Sequence, residues 1–386
     1  MLFPIINMNL PNYYDGSIVN LMSSIEESFG SKSEYKPLKL LSPKELKNSR
    51  NIVLIIIDGL GFEYLKKKNS ILKDYLIGSI TSVFPPTTAS AITTFLTGVS
   101  PKQHAITGWF MHLKEIGTVV KILPFTPRFG GPPLDKYKFR IKDILNQKAF
   151  YSKIKTNSYF INHKDIVNSD FTKTMSKNVK GYKTLDGFFK EIKKIIRSNR
   201  NRKYVYAYWP ELDSLNHEYG VGSKKSEKHF KEINKKIKEF IKSIKNTTLI
   251  ITSDHGFINT TKEKVIWLEN HPKLKECLTF PLCGEGRVVY CYVHPDKTKE
   301  FEAYIKKYFK NYCYLFKSKE LIEKNYFGLF EPNPKLFDRV GDYVLVMKDN
   351  FILKDKIENK KEKIYIGYHG GITKEEMIVP LIVIKT

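Results

Sequence analysis

Apolar runs that suit buried strands alternate along this chain with amphipathic segments that suit helices. Asn51–Ile57 is a largely β-branched run that ends at Asp58, and Lys203–Trp209 and Thr247–Thr252 are runs of similar length. Apolar residues recur at helical spacing before the second and third runs, at Leu185, Phe188, Phe189, Ile192, Ile195 and Ile196 and at Phe230, Ile233, Ile237, Phe240, Ile241 and Ile244. This alternation predicts an α/β fold in which a mostly parallel sheet is sandwiched by helices.

The pattern changes between His255 and His369. Strand-like runs at residues 287–293 and 339–347, with a helical pattern at residues 297–310, predict a small α+β insertion whose strands lie near sheet edges. Residues 350–364 are highly charged, which predicts a solvated loop or hairpin, and residues 378–384 return the chain to the main sheet. We therefore predict a catalytic core of residues 1–257 and 367–386 and a cap insertion of residues 258–366.

Composition and charge narrow the class of protein. With 386 residues, 41% hydrophobic and 27% charged, the chain can bury a large core, which excludes a disordered or collagen-like protein. The net charge of +25 favours anionic partners such as nucleotides, nucleic acid or an acidic membrane surface, although an AT-rich genome would produce the same lysine bias. No apolar run is long enough to span a membrane, and Met1–Leu10 has no Lys or Arg. These features predict a cytoplasmic protein without a secretory signal.

Polar side chains follow the predicted strands at the point where each strand ends. Asp58 directly follows the first strand, Asp254 and His255 follow the third, and Asp213 lies four residues after Trp209. The carboxyl ends of parallel strands share one edge of a sheet, so these side chains are expected to meet. The full candidate cluster is Asp58, Thr87, Thr88, Asp213, His217, Asp254, His255 and His369.

Carboxylate oxygens and imidazole nitrogens in this number suit two divalent-metal sites with three protein ligands each. Two such ions would stabilise the attacking and leaving oxygens of an in-line phosphoryl displacement. Thr88 is the candidate nucleophile, because it begins the helix predicted at residues 88–96 and a helix N-terminus favours phosphoryl oxygens. Taken singly, the signals have simpler interpretations: Asp213 and His217 match a surface i, i+4 pair, and His369 lies in a glycine-rich turn.

Together these motifs resemble a known superfamily. Phe84-Pro-Pro-Thr-Thr88, Leu96-Thr-Gly98, Asp213-x-x-x-His217, Ser253-Asp-His-Gly256 and His369-Gly occur in the order seen in the alkaline phosphatase superfamily. Within it, the chain resembles the type I phosphodiesterases and nucleotide pyrophosphatases from about Asn51 to the C-terminus. A sulfatase is excluded because the chain has no C/S-x-P-x-R pentapeptide.

The resemblance implies an alkaline-phosphatase-like fold, two divalent ions (zinc, with manganese as the alternative) and a small phosphorylated substrate of nucleotide type. Asp58, Thr88, Asp254 and His255 match the ligands of the ion that activates the nucleophile. The ligands of the second ion match Asp213, His217 and His369. The implied reaction is hydrolysis of a phosphodiester or pyrophosphate bond through a phospho-threonine at Thr88.

Two positions depart from the family pattern. Trp109 occupies the position of an asparagine whose amide holds a phosphoryl oxygen, and Asn216 replaces a glycine, which a loop or left-handed turn would tolerate. A phosphomonoesterase or phosphonate hydrolase with the same metals therefore stays open as an alternative. So does a basic anion-binding protein without activity, although no nucleic-acid-binding fold accompanies the lysine-rich segments, and the sequence carries no signal for an oligomeric state.

Overall fold

The computed structural model describes residues 8–357 and 363–386. The strands are β1 (Asn51–Ile57), β2 (Leu76–Thr81), β3 (Phe110–Leu113), β4 (Thr118–Lys121), β5 (Thr126–Pro127), β6 (Asn157–His163), β7 (Val179–Tyr182), β8 (Lys203–Trp209), β9 (Thr247–Thr252), β10 (Ile258–Asn259), β11 (Val265–Trp267), β12 (Cys283–Gly284), β13 (Val288–Cys291), β14 (Cys313–Lys317), β15 (Tyr343–Met347), β16 (Ile352–Lys354), β17 (Gly367–Tyr368) and β18 (Ile378–Lys385).

The α-helices are α1 (Ile18–Ser28), α2 (Pro43–Lys47), α3 (Phe62–Lys66), α4 (Thr88–Thr97), α5 (Pro101–His104), α6 (Ile141–Ile144), α7 (Phe150–Lys153), α8 (Asp170–Met175), α9 (Leu185–Arg197), α10 (Glu211–Tyr219), α11 (Lys224–Ile241), α12 (Pro272–Lys275), α13 (Thr298–Tyr304), α14 (Ser318–Glu323), α15 (Lys335–Arg339) and α16 (Lys374–Met377). The described part of the chain contains no helix with both the length and the apolar composition needed to cross a membrane.

The predicted sheet forms with the order β2-β18-β9-β1-β8-β6-β7. Strands β9, β1, β8, β6 and β7 are mutually parallel, whereas β18 runs antiparallel to both of its neighbours. In the centre of the sheet, Asn51 of β1 pairs with Lys203 of β8 and Thr247 of β9, so the three strands end at nearly the same level. The mostly parallel α/β fold is therefore confirmed.

Both faces of this sheet are buried, which explains why β1 has no polar alternation. Ile52, Leu54 and Ile56 pack into one apolar cluster together with residues of α1 and α4. Val53, Ile55 and Ile57, which point to the opposite face, pack into a second cluster with apolar residues of α9 and α11. The helices predicted from spacing thus cover the sheet as expected.

A second, antiparallel sheet has the order β14-β15-β13-β12-β3-β4-β5. Its strands β3, β4 and β5 precede the proposed cap of residues 258–366, so the cap shares its sheet with part of the proposed core. Residues 287–293 and 339–347 were expected near sheet edges; β15 does lie next to the edge strand β14, whereas β13 lies further inside, and neither is an edge strand. Every residue of both strands is buried, in agreement with their continuous apolar composition.

Two local expectations need correction. Residues 339–342 of the predicted strand are not part of it, since α15 ends at Arg339 and β15 begins only at Tyr343. Part of the charged segment at residues 350–364 forms β16, which pairs in parallel with β11. Residues 358–362 of that segment, and residues 1–7 of the N-terminal stretch Met1–Leu10, lie outside the described residues.

Candidate metal centre and nucleophile

The carboxyl ends of the three central strands hold most of the candidate side chains. Asp58 follows β1, Asp254 and His255 follow β9, and Asp213 and His217 lie on α10, which begins two residues after β8 ends. His369 comes from the turn after β17. The ligand atoms fall into two overlapping groups, Asp213, His217 and His369, and Asp58, Asp213 and His255, with atoms no more than 4.8 Å apart within each group.

Asp213 belongs to both groups, whereas the family resemblance assigned it to one ion alone. The imidazole Nε2 of His217 lies 3.5 Å from Asp213 Oδ1, and that of His369 lies 3.9 Å from the same oxygen. On the other side, His255 Nε2 lies 3.4 Å from Asp58 Oδ1 and 3.3 Å from Asp254 Oδ2. All six predicted carboxylate and imidazole groups are thus brought together in the structure.

The imidazoles are oriented by the backbone. His217 Nδ1 lies 2.9 Å from the Gly367 carbonyl, His255 Nδ1 3.1 Å from the Gly256 carbonyl, and His369 Nδ1 3.4 Å from the Pro86 carbonyl. A carbonyl only accepts, so each Nδ1 carries the proton and each Nε2 presents a lone pair to the cluster. This arrangement is typical of metal-binding histidines, whose second nitrogen donates to an oxygen outside the metal site.

The carboxylates are only partly satisfied by the protein. Asp254 Oδ1 accepts hydrogen bonds from the backbone N–H groups of Gly59, at 3.2 Å, and His255, at 3.0 Å. Asp58 Oδ2 accepts one from the Tyr208 hydroxyl. Three buried oxygens, Asp58 Oδ1, Asp213 Oδ1 and Asp254 Oδ2, have no hydrogen-bond partner among the described residues. Unpaired buried carboxylate oxygens are costly, so their position beside the imidazole nitrogens fits bound cations.

The electrostatics of the cluster agree with this. Burial raises the pKa of Asp58 well above its usual value, and the nearby Asp213 and Asp254 raise it further. The pKa of Asp213 is raised by burial and by the charges of Asp254 and Glu285. Burial lowers the pKa of His217 to about 4, and burial with the two neighbouring imidazoles lowers that of His369 well below its usual value. Neutral imidazoles beside crowded carboxylates are the ligands that a divalent cation requires.

Thr88 is the first residue of α4, and its Oγ1 lies 3.1 Å from His255 Nε2. Thr87, the residue before it, is fully buried and caps the helix through a hydrogen bond that its hydroxyl accepts from the Ser90 N–H. The Thr87 hydroxyl is therefore committed to the helix, whereas that of Thr88 faces the cluster. The geometry favours Thr88 over Thr87 as the nucleophile.

The glycine after His255 fits the crowding of this turn. A Cβ added to Gly256 would lie 2.0 Å from the Glu375 carbonyl oxygen, closer than any side chain tolerates. The Gly256 N–H donates to the Glu376 carbonyl at 2.8 Å, which fixes the turn against the residues that precede β18. The Asp-His-Gly sequence thus positions two of the candidate ligands.

A cavity of about 610 Å³ lies over the cluster, lined among others by Thr88, Trp109, Asp213, Glu285 and His369. Trp109 borders the cavity at the position where the resemblance implies an asparagine, and its backbone N–H donates to Glu285 Oε1 at 3.0 Å. Burial raises the pKa of Glu285 to about 8. The cavity can admit a phosphorylated ligand of nucleotide size.

Sequence reasoning was wrong about Asn216 and missed two polar groups. Asn216 is buried within α10, not in a loop or left-handed turn, so helical backbone accommodates it. Tyr208 was interpreted only as part of a strand, although its position next to the strand end was an available signal. Glu285 had no signal in the sequence, because its place depends on pairing between distant segments.

Comparison with known proteins places this site in a family. The family described as type I phosphodiesterase / nucleotide pyrophosphatase matches residues 52–372. The fold is similar to that of murine ectonucleotide pyrophosphatase / phosphodiesterase 5, with a TM-score of 0.68 and 18% identity over 87% of this chain and 88% of that one. An inactive form of the murine protein, in complex with AMP, matches with a TM-score of 0.67 and 18% identity over 86% of this chain and 87% of that one.

Phosphonoacetate hydrolase from Sinorhizobium meliloti, in complex with phosphonoformate, is also similar, with a TM-score of 0.64 and 16% identity over 87% of this chain and 90% of that one. At these identities the solved structures establish the fold, and the family match covers more than half of the chain. The chain is a hydrolase that belongs to the type I phosphodiesterase / nucleotide pyrophosphatase family, within the alkaline phosphatase superfamily.

Proposed function

We propose that this protein hydrolyses a phosphodiester or pyrophosphate bond of a nucleotide-type substrate, with two divalent metal ions and a covalent phospho-threonine at Thr88. One observation carries the proposal. Three imidazoles, each oriented by a backbone carbonyl, direct Nε2 toward three buried carboxylate oxygens that have no partner among the described residues, directly beside the Thr88 hydroxyl.

The residues present fit two divalent ions. Asp58, Thr88, Asp254 and His255 would hold one ion, and Asp213, His217 and His369 the other. Because its ligand atoms approach both groups, Asp213 would also neutralise charge between them. Zinc suits this mixture of nitrogen and oxygen ligands, with manganese as the alternative. When bound, such ions lower the pKa of a coordinated hydroxyl and stabilise negative charge on phosphoryl oxygens.

The protein's own groups account for the rest of the reaction. The Thr88 hydroxyl hydrogen-bonds to His255 Nε2 at 3.1 Å, which aims its oxygen into the cavity. Unpaired N–H groups in the first turn of α4 would hold a phosphoryl oxygen, in place of the amide that Trp109 lacks. Attack by Thr88 Oγ1 on phosphorus would release the first alcohol or phosphate. Water would then cleave the phospho-threonine and restore the hydroxyl.

A nucleotide-type substrate is supported by the cavity and by the AMP complex of the murine relative. The cavity is also lined by Tyr365 and Tyr368, which offer apolar surface to a base. A phosphonate or phosphomonoester substrate is the second candidate, because the fold is also similar to phosphonoacetate hydrolase and because Trp109 offers no side-chain amide. Membership of a hydrolase family favours an enzyme over a basic anion-binding protein. The cytoplasmic location stays a prediction from the sequence.

The decisive experiment compares wild type with Thr88→Ala on bis-p-nitrophenyl phosphate, p-nitrophenyl phosphate and a nucleotide diester, after metal content is measured by elemental analysis. Loss of the nucleophile should reduce kcat by on the order of 10⁴-fold or more, and acid quenching of the wild type should trap phosphate on Thr88. Thr87→Ser, which keeps the capping hydroxyl, is the matched control and should retain activity. Full activity in Thr88→Ala would reject covalent catalysis, and faster turnover of the monoester would reject the diester preference.

A further inference from the structure

Glu285 reaches the cavity from the turn between β12 and β13. Its N–H donates to the Val288 carbonyl at 2.8 Å, which closes the turn. A Cβ added to Gly108 would lie 2.8 Å from the Gly284 Cα, so only glycine allows these two backbones to come so close. This close approach brings the Trp109 N–H to 3.0 Å from Glu285 Oε1. One oxygen of the Glu285 carboxylate is therefore fixed by the backbone.

The same turn is tied to the loop that carries His369. The fully buried Arg287 donates from Nε and Nη2 to Glu376 Oε1 and Oε2, at 3.0 Å each. Glu376 Oε1 in turn accepts the Gly371 N–H at 2.8 Å. A Cβ added to Gly370 would lie 3.2 Å from the Glu285 Cβ and 3.3 Å from the Thr87 Cγ2. The Glu285 side chain thus borders both the His369 loop and the nucleophile turn.

The second carboxylate oxygen, Oε2, accepts no hydrogen bond from residues 8–357 or 363–386, while the side chain lines the same cavity as Thr88 and Asp213. An acceptor held in this way is available to a hydrogen-bond donor on the substrate.

The charge of the Glu285 carboxylate has a second consequence. Burial raises the pKa of Glu285 to about 8 when no cation is bound. Two divalent ions would exceed the charge of Asp58, Asp213 and Asp254 by one unit, so they would favour the ionised Glu285 carboxylate, whose charge would cancel that unit. A phosphate monoester dianion would then be repelled more than a diester monoanion.

We propose that Glu285 determines substrate selectivity: its Oε2 accepts a hydrogen bond from a hydroxyl group of the alcohol esterified to the scissile phosphate, and its charge disfavours monoester dianions. The substrate class is then a phosphodiester of a hydroxyl-bearing alcohol, such as a sugar or nucleoside. The inference rests on the proposed function for the location of the phosphoryl group, and it adds a residue of the second sheet to the recognition of the substrate.

The test measures binding, not turnover. Titration calorimetry on zinc-loaded Thr88→Ala compares phenyl phosphate, a dianion without a hydroxyl, diphenyl phosphate, a monoanion without a hydroxyl, and thymidylyl-(3′→5′)-thymidine, a monoanion with hydroxyls. Glu285→Gln is then added in the same background. Glutamine keeps the acceptor for the Trp109 N–H but presents a donor, not an acceptor, to the cavity.

We expect Glu285→Gln to strengthen phenyl phosphate binding about tenfold relative to diphenyl phosphate, and to reduce the advantage of the dinucleotide over diphenyl phosphate about tenfold. Glu218→Gln is the matched control, because Glu218 lies at the same cavity on α10 with a half-exposed carboxylate whose charge is paired with Lys363. It should leave both ratios unchanged. The inference would be overturned if Glu285→Gln changed the affinity for all three ligands equally, or if Glu285→Gln and Glu218→Gln gave the same affinity ratios. It would also be overturned if none of the three ligands bound to zinc-loaded Thr88→Ala.

Failure of the proposed function would look different. A protein that hydrolyses none of the esters but still discriminates among these ligands through Glu285 would reject the reaction and retain the selectivity. In the hydrolysing protein without the Thr88 substitution, Glu285→Gln should raise kcat/KM for p-nitrophenyl phosphate relative to bis-p-nitrophenyl phosphate by a similar factor. A loss of the same size on both substrates would indicate a merely structural role and would overturn the selectivity.

Discussion

The two large sheets of this molecule contribute to one cavity in different ways. The mostly parallel sheet supplies Asp58, Asp213, Asp254 and His255 at or just beyond the ends of neighbouring strands, where the register of β1 with β8 and β9 brings them together. The antiparallel sheet supplies Glu285 from the turn between β12 and β13. Gly108 and Gly284 let the two backbones approach closely there, and the Trp109 N–H donates to the Glu285 carboxylate.

The two sheets meet different requirements of the site, the position of the candidate metal ligands and the contact with the rest of the substrate. The candidate metal cluster needs fixed positions, and the topology of the parallel sheet provides them for Asp58, Asp254 and His255, whereas His369 comes from the turn after β17. Under the proposal for Glu285, recognition of the rest of the substrate would use surface that can vary without moving the cluster, and residues next to the second sheet line the cavity from its other side. The buried Arg287 and Glu376 join the two parts, because their ion pair links the turn before β13 to the loop that carries His369.

The largest effect is expected from Asp213→Asn, which tests whether this one carboxylate serves both ligand groups. Asp213 lies near the ligand atoms of both groups, so the variant should lose bound metal and reduce kcat/KM by on the order of 10⁴-fold. Without metal the variant should be more stable than wild type, since burial and nearby carboxylates raise the pKa of Asp213 and disfavour its charged form. Metal content and thermal unfolding with and without zinc measure both effects.

Asp186→Asn is the control, because Asp186 makes only a surface ion pair with Lys236 and its side chain is 75% exposed. That variant should keep both its metal and its activity. An Asp213→Asn protein that retains two ions per chain would contradict the shared position of this carboxylate.

The residues of the parallel sheet were largely predictable from the sequence, for a physical reason. Strands β1, β8 and β9 are buried, so their apolar runs mark their ends clearly, and all three match the predicted bounds at both termini. The polar residues that follow those ends then share one edge of the sheet. Local sequence is sufficient here because each strand end is defined by its own composition.

The second sheet could not be predicted in the same way. Trp109 and Glu285 are 176 residues apart, and their contact depends on pairing between β3 and β12, which no local pattern encodes. The interior positions of β13 and β15 were missed for the same reason, since a short apolar run does not reveal its neighbours. Asn216 was misassigned because the expectation of a loop came from the family's glycine and not from this chain's own helix-forming residues.

A second prediction concerns the ion pair between Arg287 and Glu376. Arg287→Met leaves the Glu376 carboxylate buried without its cation, which should lower the free energy of unfolding by about 3–5 kcal/mol. Lys66→Met is the control, because Lys66 pairs with Glu63 at the surface and should change stability by about 1 kcal/mol or less. Urea unfolding of the metal-free proteins measures both values. Equal losses in the two variants would show that the ion pair does not join the sheets.

A third, smaller effect concerns His104, the fully buried last residue of α5. Its Nδ1 accepts the Ile106 N–H and its Nε2 bonds to the Thr94 hydroxyl, so the ring is neutral. Burial, with the charge of Arg339, lowers its pKa to about 3. Below about pH 6.5 the His104 side chain of the unfolded chain gains a proton, whereas that of the folded protein stays neutral. The folded state is therefore fully stable with respect to His104 above about pH 6.5 and loses stability as the pH falls toward 3.

His104→Gln keeps an acceptor and a donor but cannot gain a proton, so it should remove this acid sensitivity. Between pH 7.5 and pH 4.5 wild type should lose about 3 kcal/mol more stability than the variant, as measured by urea unfolding at the two pH values. Other titrating groups are common to both proteins and cancel in the difference. Equal losses in the two proteins would mean that His104 does not titrate with the fold.

The smallest predicted effect concerns the hydroxyl that supports Asp58. Tyr208 is the penultimate residue of β8, and its hydroxyl donates to Asp58 Oδ2. Tyr208→Phe should therefore weaken zinc binding about tenfold while the protein stays folded. Tyr206→Phe is a matched control, because the Tyr206 hydroxyl lies two residues earlier on the same face of β8 and has no hydrogen-bond partner among the described residues. Removing that hydroxyl should leave zinc affinity unchanged and should not destabilise the protein. Competition titration with a zinc chelator measures both affinities, and equal affinities in the two variants would mean that the parallel sheet positions Asp58 through its backbone alone.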